Sequence, residues 1–207
     1  MKATLIFDVG NTLATFTAPG VVSRLLAQTT LDHREARRYL LALQTHVVTQ
    51  ELVDQTCAKL NTQTFDISSY ETPNGYVQDG AENMLQELTA RGHPIVTLSN
   101  TSSLDASPLP GSLQSYVKTV YRSFEIGAVK PSPEAFNHVL RRERLGSTNA
   151  IMVGDSLKAD IYGAMALGMR AVWLAPASHG HDTCQESPCI MIQSLRQLSD
   201  VLKDEGK

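Results

Sequence analysis

Three short apolar segments, each running directly into polar residues, constrain the fold of this chain more than any other feature. They are residues 3–7, which end before Asp8, residues 95–98, which end before Ser99, and residues 151–153, which end before Gly154 and Asp155. A short unbroken apolar run is typical of a strand that is buried on both faces of a parallel sheet. Because parallel strands present their carboxyl ends at one edge of the sheet, we expect these polar residues to converge on a single crevice.

Helical patterns alternate with strand patterns through the second half of the chain. Apolar spacing predicts helices at residues 81–91, 133–142 and 160–167, and further strands at residues 119–121 and 171–174. Residues 178–188 have the composition of a loop, and residues 194–203 predict a closing amphipathic helix. Strands that alternate with helices of this length imply right-handed crossovers. The predicted fold class is therefore α/β, with a doubly wound, Rossmann-like parallel sheet.

Residues 17–76 interrupt this alternation with helical patterns alone. Apolar residues recur at helical spacing in residues 19–28, 34–50 and 51–61. We therefore expect an α/β core formed by residues 1–16 and 77–207, with a small helical domain, residues 17–76, inserted after the first strand. A chain of 207 residues is long enough for one core domain and a modest insertion.

The charge balance of the chain argues against a polyanionic partner. The formal net charge is −3 and the pI is about 6.1, so no overall field attracts the protein to nucleic acid or to an anionic membrane. No segment is long and apolar enough to span a membrane, and residues 3–7 are too few for a signal-peptide core. The 3 widely spaced cysteines do not predict a disulfide framework. We expect a cytoplasmic protein, monomeric or homodimeric, that acts on a small molecule.

Four groups of polar residues occur in an order and at separations that resemble the motifs of the haloacid dehalogenase (HAD) superfamily. They are residues 8–13 after the first strand, residues 99–101 (Ser-Asn-Thr), Lys130-Pro131 within residues 127–136, and Gly154-Asp155-Ser156 followed by Asp160. The resemblance extends from Ala3 to about Leu174. It implies a Rossmann-like core with a small helical cap of the subfamily I type, and a hydrolase that acts on a small phosphorylated substrate.

The resemblance assigns the nucleophile and the metal ligands. Asp8 would attack phosphorus and form an aspartyl-phosphate, which divides a difficult hydrolysis into two easier displacements. Asp8, the backbone carbonyl of Gly10 and Asp155 would bind Mg²⁺, an ion that prefers hard oxygen ligands. Asp160 would act from outside the coordination sphere by orienting water on the metal.

The remaining motif residues would bind the phosphate and shape its loop. Ser99 and Asn100 would donate hydrogen bonds to the phosphate. Lys130 would neutralise the charge of the phosphate and of Asp8. Thr12 would tie down the loop after the first strand through side-chain to backbone hydrogen bonds. Taken singly, a polar residue at a strand end often only caps the next helix, but the full set is hard to explain in that way.

The chain departs from the family at Gly10, where most phosphatases of this type carry a second aspartate as general acid and base. Such a group is typically worth about 10²–10⁴ in rate. Its absence favours acyl and aryl phosphates, whose leaving groups need little protonation, and weakens a phosphomutase interpretation. Two alternatives to a magnesium-dependent phosphohydrolase stay open. A haloacid dehalogenase needs no acid to expel halide, although Asp155 and Asp160 would then lack a cation, and a non-catalytic regulator could retain the fold.

A charged run in the predicted insertion is a candidate for contact with an anionic substrate. Its members are His33, Arg34, Glu35, Arg37 and Arg38. A solvated helix face explains this run more simply. His46, on an otherwise apolar helix, is expected to be a packing residue rather than the missing acid.

Potential zinc ligands cluster near the C-terminus. His179, His181, Cys184 and Cys189 are ligand types that zinc accepts, but their spacing matches no common zinc site. A surface loop without metal is the simpler interpretation.

Overall fold

The strands of the molecule form one large parallel sheet and one small ribbon. The computed structural model describes residues 2–107, 109–176 and 189–202. Its strands are β1 Thr4–Phe7, β2 Ala14–Phe16, β3 Gly75–Val77, β4 Ile95–Ser99, β5 Thr119–Arg122, β6 Ala150–Gly154, β7 Arg170–Leu174 and β8 Ile190–Ile192. The six-stranded sheet has the order β5-β4-β1-β6-β7-β8 with every neighbouring pair parallel. The predicted doubly wound α/β fold is confirmed, whereas β8 and the β2–β3 ribbon were not predicted.

The predicted helices occur in the predicted order with shifted ends, and two short helices, residues 111–114 and 123–126, were not predicted. They are α1 Val21–Gln28, α2 His33–Thr45, α3 Gln50–Leu60, α4 Ala81–Ala90, α5 Gly111–Gln114, α6 Ser123–Ile126, α7 Pro133–Glu143, α8 Gly163–Met165 and α9 Leu198–Val201. The helix predicted over residues 34–50 was too long, because α2 ends at Thr45 and residues 46–49 are not helical. The Thr49 side chain accepts a hydrogen bond from the Leu52 amide, so it caps the start of α3 instead of continuing α2.

Two other predicted helices take different forms. In place of the helix over residues 160–167, a π-helical turn spans Leu157–Tyr162 and leads into the short α8. The Ser156 hydroxyl caps that turn by accepting a hydrogen bond from the Ala159 amide. The predicted closing helix is a 3₁₀ turn, Leu195–Gln197, followed by α9. The loop predicted at residues 178–188 lies outside the described residues.

Side chains of β1 alternate between the two faces of the sheet, and each face has its own hydrophobic core. Leu5 and Phe7 pack in one core with helices that include α4, while Ile6 packs in the other core with Phe136 of α7. All four side chains are fully buried. Because burying such a side chain contributes roughly 1.5–3 kcal/mol, the strand that ends at the candidate nucleophile is firmly held.

Helices α1, α2 and α3 lie between β2 and β3 in the sequence and pack against one another. They share a separate hydrophobic cluster whose buried members include Val21, Leu25, Leu40, Leu43 and Val53. The ribbon pairs Phe16 with Gly75, so the chain leaves and re-enters the sheet domain at adjacent points. The three helices therefore form one packed insertion on a two-stranded stem.

The insertion is fastened to the segment that follows β4. The Asp105 carboxylate accepts hydrogen bonds from the Val21 amide, at 3.0 and 3.2 Å, and from the Tyr70 hydroxyl at 2.5 Å. Thr72 Oγ1 donates to the Leu104 carbonyl at 2.8 Å. One loop of the sheet domain thus contacts both ends of the insertion. In the described part of the chain, no helix has the length and apolar character needed to cross a membrane.

Candidate active site

Three carboxylates and one ammonium group meet at the carboxyl ends of the central strands. Lys130 Nζ lies 2.7 Å from Asp8 Oδ1 and 2.7 Å from Asp160 Oδ1. Lys130 and Asp160 side chains are only 2% and 1% exposed, and that of Asp8 is 13% exposed. Oxygens of Asp8, Asp155 and Asp160 all lie within 4.8 Å of one another. The convergence predicted from the strand ends is therefore observed for Asp8 and Asp155, and Asp160 and Lys130 join them.

The neighbouring strands β1 and β6 place the carboxylates. The Asp8 amide donates to the Val153 carbonyl at 2.9 Å, which extends the parallel pairing one residue beyond β1. The Ser156 amide donates to Asp160 Oδ2 at 3.0 Å and turns this carboxylate back toward the strand ends. Gly154 makes room for it, because a Cβ at that position would come within 2.7 Å of the Asp160 Cβ and closer still to its carboxylate.

Asn100 has a contact that sequence reasoning missed. Its side-chain amide donates to the Lys130 carbonyl and accepts from the Lys130 amide, both at 2.8 Å. These two hydrogen bonds hold the main chain of Lys130 beside β4 and so aim its side chain at Asp8. The two residues are 30 positions apart, so no local pattern could reveal the pairing.

Asp155 is held by one residue outside the four motifs, Trp173, and by one residue of the first motif, Asn11. Trp173 Nε1 in β7 donates to the Asp155 carbonyl at 2.9 Å, and Asn11 Nδ2 lies 3.4 Å from Asp155 Oδ2. Asn11 adopts a left-handed backbone conformation with φ of 55°, which asparagine tolerates better than most residues. This turn brings its amide over the site.

Thr12 does not make the contact expected of it. Its hydroxyl is fully buried and has no hydrogen-bond partner among the described residues. The loop is closed instead by main-chain bonds, in which the amides of Leu13 and Ala14 both donate to the Val9 carbonyl at 2.9 Å. The expected side-chain to backbone hydrogen bond of Thr12 is therefore wrong.

Burial and like charges set the electrostatics of the site. Burial raises the pKa of the Asp8 carboxyl to about 6, with Lys130 opposing the rise and Asp160 adding to it. Burial and the Asp160 carboxylate also raise the pKa of Asp155. Burial alone would lower the pKa of Lys130, but Asp8 and Asp160 outweigh it, so the pKa is raised. The lysine is therefore charged at neutral pH.

The donor set fits a divalent cation. Three carboxylates against one ammonium leave two negative charges in excess in a largely buried cluster. Carboxylate oxygens are the hard ligands that Mg²⁺ prefers. A cation of charge +2 would balance the excess, which a lysine alone does not do.

A cavity of about 610 Å³ opens over this cluster. Every predicted site residue except Thr12 lines it: Asp8, Gly10, Ser99, Asn100, Lys130, Asp155 and Asp160. A larger cavity of about 690 Å³ lies among α1 and residues 61–71 and contains none of these residues. We take the smaller cavity as the candidate site, because only it contains the clustered carboxylates and lysine.

The insertion also contributes to the wall of this cavity. Residues of the stem and of α1 and α2 that line it include Phe16, Val22, Leu26, Arg37 and Gln44. All five members of the charged run are exposed, as a solvated face predicts, yet Arg37 reaches the cavity. Sequence periodicity could not identify which member would do so.

Two further expectations have different outcomes. His46 is exposed, with its ring beside the Thr45 hydroxyl at 3.1 Å, so its prediction as a packing residue is wrong. It does not line the cavity either. Of the four candidate zinc ligands, Cys189 is buried, and His179, His181 and Cys184 lie outside the described residues.

Comparisons with known proteins place the chain among hydrolases. The family profile described as haloacid dehalogenase-like hydrolase matches residues 2–168. Glyceraldehyde 3-phosphate phosphatase of Pyrococcus furiosus is 31% identical over 146 residues, which cover 68% of this chain and 61% of the relative. Ribulose-1,5-bisphosphate 5-phosphatase of Halopiger xanaduensis is 35% identical over 118 residues, which cover 56% of this chain and 49% of that relative. The chain thus spans about half to three fifths of these relatives.

The solved structures agree on the fold. A 2-haloacid dehalogenase from Pseudomonas syringae pv. Tomato DC3000 superposes with a TM-score of 0.66 at 22% identity, covering 98% of both chains. At this identity the likeness establishes a shared architecture only.

Proposed function

Because the chain belongs to the haloacid dehalogenase-like hydrolase family, we propose that it is a phosphohydrolase that transfers the phosphoryl group of a small phosphomonoester to Asp8 and then to water. The observation that carries this proposal is Lys130, whose ammonium lies 2.7 Å from both Asp8 and Asp160 inside the cavity. A buried lysine beside a carboxylate offers positive charge where a phosphate must approach a negative nucleophile.

The proposed reaction has two displacements. In the first, an Asp8 oxygen forms a bond to phosphorus while the ester oxygen leaves with its bonding electrons. In the second, water attacks phosphorus and gives up a proton to solvent, while the bond between phosphorus and Asp8 breaks and releases phosphate and the free carboxylate. Lys130 offsets the charge on the phosphoryl oxygens throughout, and Ser99 and Asn100 donate hydrogen bonds to them. Asn100 has a second task, because its amide fixes the main chain of Lys130.

Mg²⁺ is the proposed cofactor, held by Asp8, Asp155 and the Gly10 carbonyl. When bound, it would balance the excess negative charge and attract the phosphate of the substrate. Asp160 faces Lys130 and the Ser156 amide. We therefore assign Asp160 to orienting the site from outside the coordination sphere.

The site has no carboxyl at position 10 to protonate the leaving group. Gly10 offers no carboxyl, so the departing oxygen must leave unprotonated or take its proton from the substrate or solvent. This favours acyl and aryl phosphates over alkyl phosphates. We assign residues 17–76 to a cap, because the insertion is fastened beside the cavity and lines its wall.

Dehalogenation is the second candidate, and Gly10 is the observation that favours it, since halide leaves without a proton. The excess negative charge of Asp8, Asp155 and Asp160 argues against it, because a carboxylate cluster without a cation costs stability. A non-catalytic regulator would not need these carboxylates and Lys130 to meet in one cavity, so their arrangement argues against that alternative. We further propose that the protein is cytoplasmic and acts as a monomer or homodimer, without nucleic acid or membrane as a partner.

The test is hydrolysis of p-nitrophenyl phosphate with Mg²⁺ and with chelator, in the wild type and in Asp8→Asn. Asp79→Asn serves as the matched control, because Asp79 pairs with Arg196 on the exposed surface. We expect activity that requires Mg²⁺, persists in the control and is lost in Asp8→Asn. A folded wild type with no activity above Asp8→Asn would reject the phosphohydrolase. Turnover of 2-haloacids would then support the dehalogenase, and binding of beryllofluoride without turnover would support the regulator.

A further inference from the structure

Arg37 is the cation of the cavity wall that the phosphoryl site does not use. The charged residues lining the cavity are Asp8, Arg37, Asp105, Lys130, Asp155 and Asp160. Lys130 is engaged by two carboxylates, and Asp105 accepts hydrogen bonds from the insertion. Arg37 makes no ion pair with any residue in the described part of the chain. Its charge is therefore available to a ligand.

The position of Arg37 follows from the register of α2 against the segment that follows β4. Gln44 Nε2, on the same helix, lies 3.4 Å from the carbonyl oxygen of Asn100. Arg37 precedes Gln44 by seven positions, which is two turns and about 10 Å along the axis on the same helix face. Gln44 thus contacts the loop at the phosphoryl end of the cavity, and Arg37 lies two turns farther along the wall.

The Arg37 guanidinium makes one hydrogen bond within α2 and keeps its other donors for a ligand. Arg37 Nε donates to His33 Nε2 at 3.3 Å, one turn earlier on α2. This contact uses the Nε hydrogen and leaves the two terminal amino groups, which form the fork that binds a carboxylate or phosphate through two parallel hydrogen bonds. Arg34 and Arg38, its neighbours in the charged run, do not line the cavity.

The cavity wall is partly apolar. Val22 and Leu26 of α1 and Phe16 of the stem line it. A substrate that extends through the cavity from Lys130 to Arg37 would have these apolar side chains available to pack on its carbon skeleton.

We infer that the substrate carries a second anionic group, which Arg37 binds while the phosphoryl group lies against Asp8 and Lys130. The inference rests on the proposed phosphohydrolase function and adds the class of its substrate. A phosphorylated carboxylic acid and a bisphosphate share the chemistry that Arg37 recognises. Arg37 is accordingly a specificity-determining residue that contacts the substrate away from the reacting atoms.

The experiment compares matched pairs of esters that differ in the second anion. The esters are aryl phosphates, because the site favours a weakly basic leaving group. 4-(Carboxymethyl)phenyl phosphate is set against 4-methylphenyl phosphate, and 4-(2-carboxyethyl)phenyl phosphate against 4-ethylphenyl phosphate. 4-(2-Phosphooxyethyl)phenyl phosphate set against 4-ethylphenyl phosphate tests a second phosphate in place of a carboxylate. Each pair is measured with the wild type, Arg37→Gln and the control Arg38→Gln, which removes the same charge from an exposed position that does not line the cavity.

We expect the wild type to prefer the anionic member of at least one pair, chiefly through a lower KM. Arg37→Gln should reduce that preference roughly tenfold, as expected for a solvent-exposed charged hydrogen bond, and Arg38→Gln should keep it. Added salt should weaken the preference, because Arg37 is exposed. The pairs that respond distinguish carboxylate from phosphate.

Hydrolysis of p-nitrophenyl phosphate, which has no second anion, separates this inference from the proposed function. If the wild type and Arg37→Gln hydrolyse that ester equally and no pair shows a preference that depends on Arg37, the inference is overturned and the phosphohydrolase stands. An equal loss of preference in Arg38→Gln would also overturn it, since a general charge effect would then explain the result. If the wild type hydrolyses no ester, the function and the inference fall together.

Discussion

Replacing Gly10 with aspartate tests whether the missing carboxyl is what limits this site. The structure has room for it, because a Cβ at Gly10 would have the Phe16 ring as its nearest neighbour at 3.9 Å, an ordinary van der Waals contact. The Gly10 backbone does not adopt the left-handed conformation that disfavours a side chain. We therefore expect Gly10→Asp to fold with a change in the free energy of unfolding within about 1 kcal/mol.

The gain in rate should depend on the leaving group. An added carboxyl would stand beside the excess negative charge of Asp8 and Asp155, which raises its pKa and keeps part of it protonated near neutral pH. Such a group can donate a proton to a departing alkoxide, a contribution of about 10²–10⁴ in rate. We expect about 10² for alkyl phosphates, and little change for p-nitrophenyl phosphate, whose leaving group is a weak base.

The assay measures kcat for ethyl phosphate and p-nitrophenyl phosphate in the wild type, Gly10→Asp and Gly10→Asn. Asparagine has nearly the same shape as aspartate but cannot act as an acid, so it separates proton donation from filling of the space. The rate for the alkyl ester should rise in Gly10→Asp alone. Equal rates in the two folded variants would refute the reasoning and mean that the proton already reaches the leaving group from another source.

Two further predictions concern stability. Gly154→Ala should lower the free energy of unfolding in urea by about 1–3 kcal/mol, because its Cβ would overlap the Asp160 carboxylate. The control Gly111→Ala has nothing within 4 Å of its Cβ and should change that free energy by less than about 0.5 kcal/mol. Equal effects of the two substitutions would contradict this prediction. The second prediction concerns pH in the presence of a chelator. Because the pKa of Asp8 is raised to about 6, the folded state binds more protons than the unfolded chain between pH 7 and pH 5. The free energy of unfolding should therefore increase by about 1 kcal/mol from pH 7 to pH 5. Asp8→Asn should flatten this dependence, and so should saturating Mg²⁺; a wild-type profile already flat in chelator would count against the raised pKa.

The sheet and the polar cluster could be predicted because both follow from local patterns. An unbroken apolar run specifies a buried strand, and parallel pairing then forces the ends of β1, β4 and β6 to one edge. Because β4, β1 and β6 are neighbours in the sheet, Asp8, Ser99 and Asp155 line one cavity. The chemical types of these residues, together with Lys130, then favoured a magnesium-dependent phosphohydrolase over the alternatives.

Other features depend on contacts that no local pattern records. Strand β8 has only three residues and is defined by pairing with β7. The π-helical turn at Leu157–Tyr162 replaces a regular helix where Asp160 must reach back to the Ser156 amide. The pairing of Asn100 with the main chain of Lys130 joins residues far apart in sequence.

The orientation of the insertion shows why specificity is harder to predict than catalysis. The apolar stripe of α2, with Ala36, Leu40 and Leu43 buried, fixes which side of the helix faces its partners. It cannot say which exposed arginine faces the cavity, since that depends on how the insertion as a whole sits on the sheet domain. That placement is set by packing of α2 against α6 and by hydrogen bonds to Asp105 and the Asn100 carbonyl. Because Arg37 lies on α2, the helix that contacts α6 and the Asn100 carbonyl, substitutions at these contacts should redirect Arg37 and change the preferred substrate while the carboxylates and lysine stay in place.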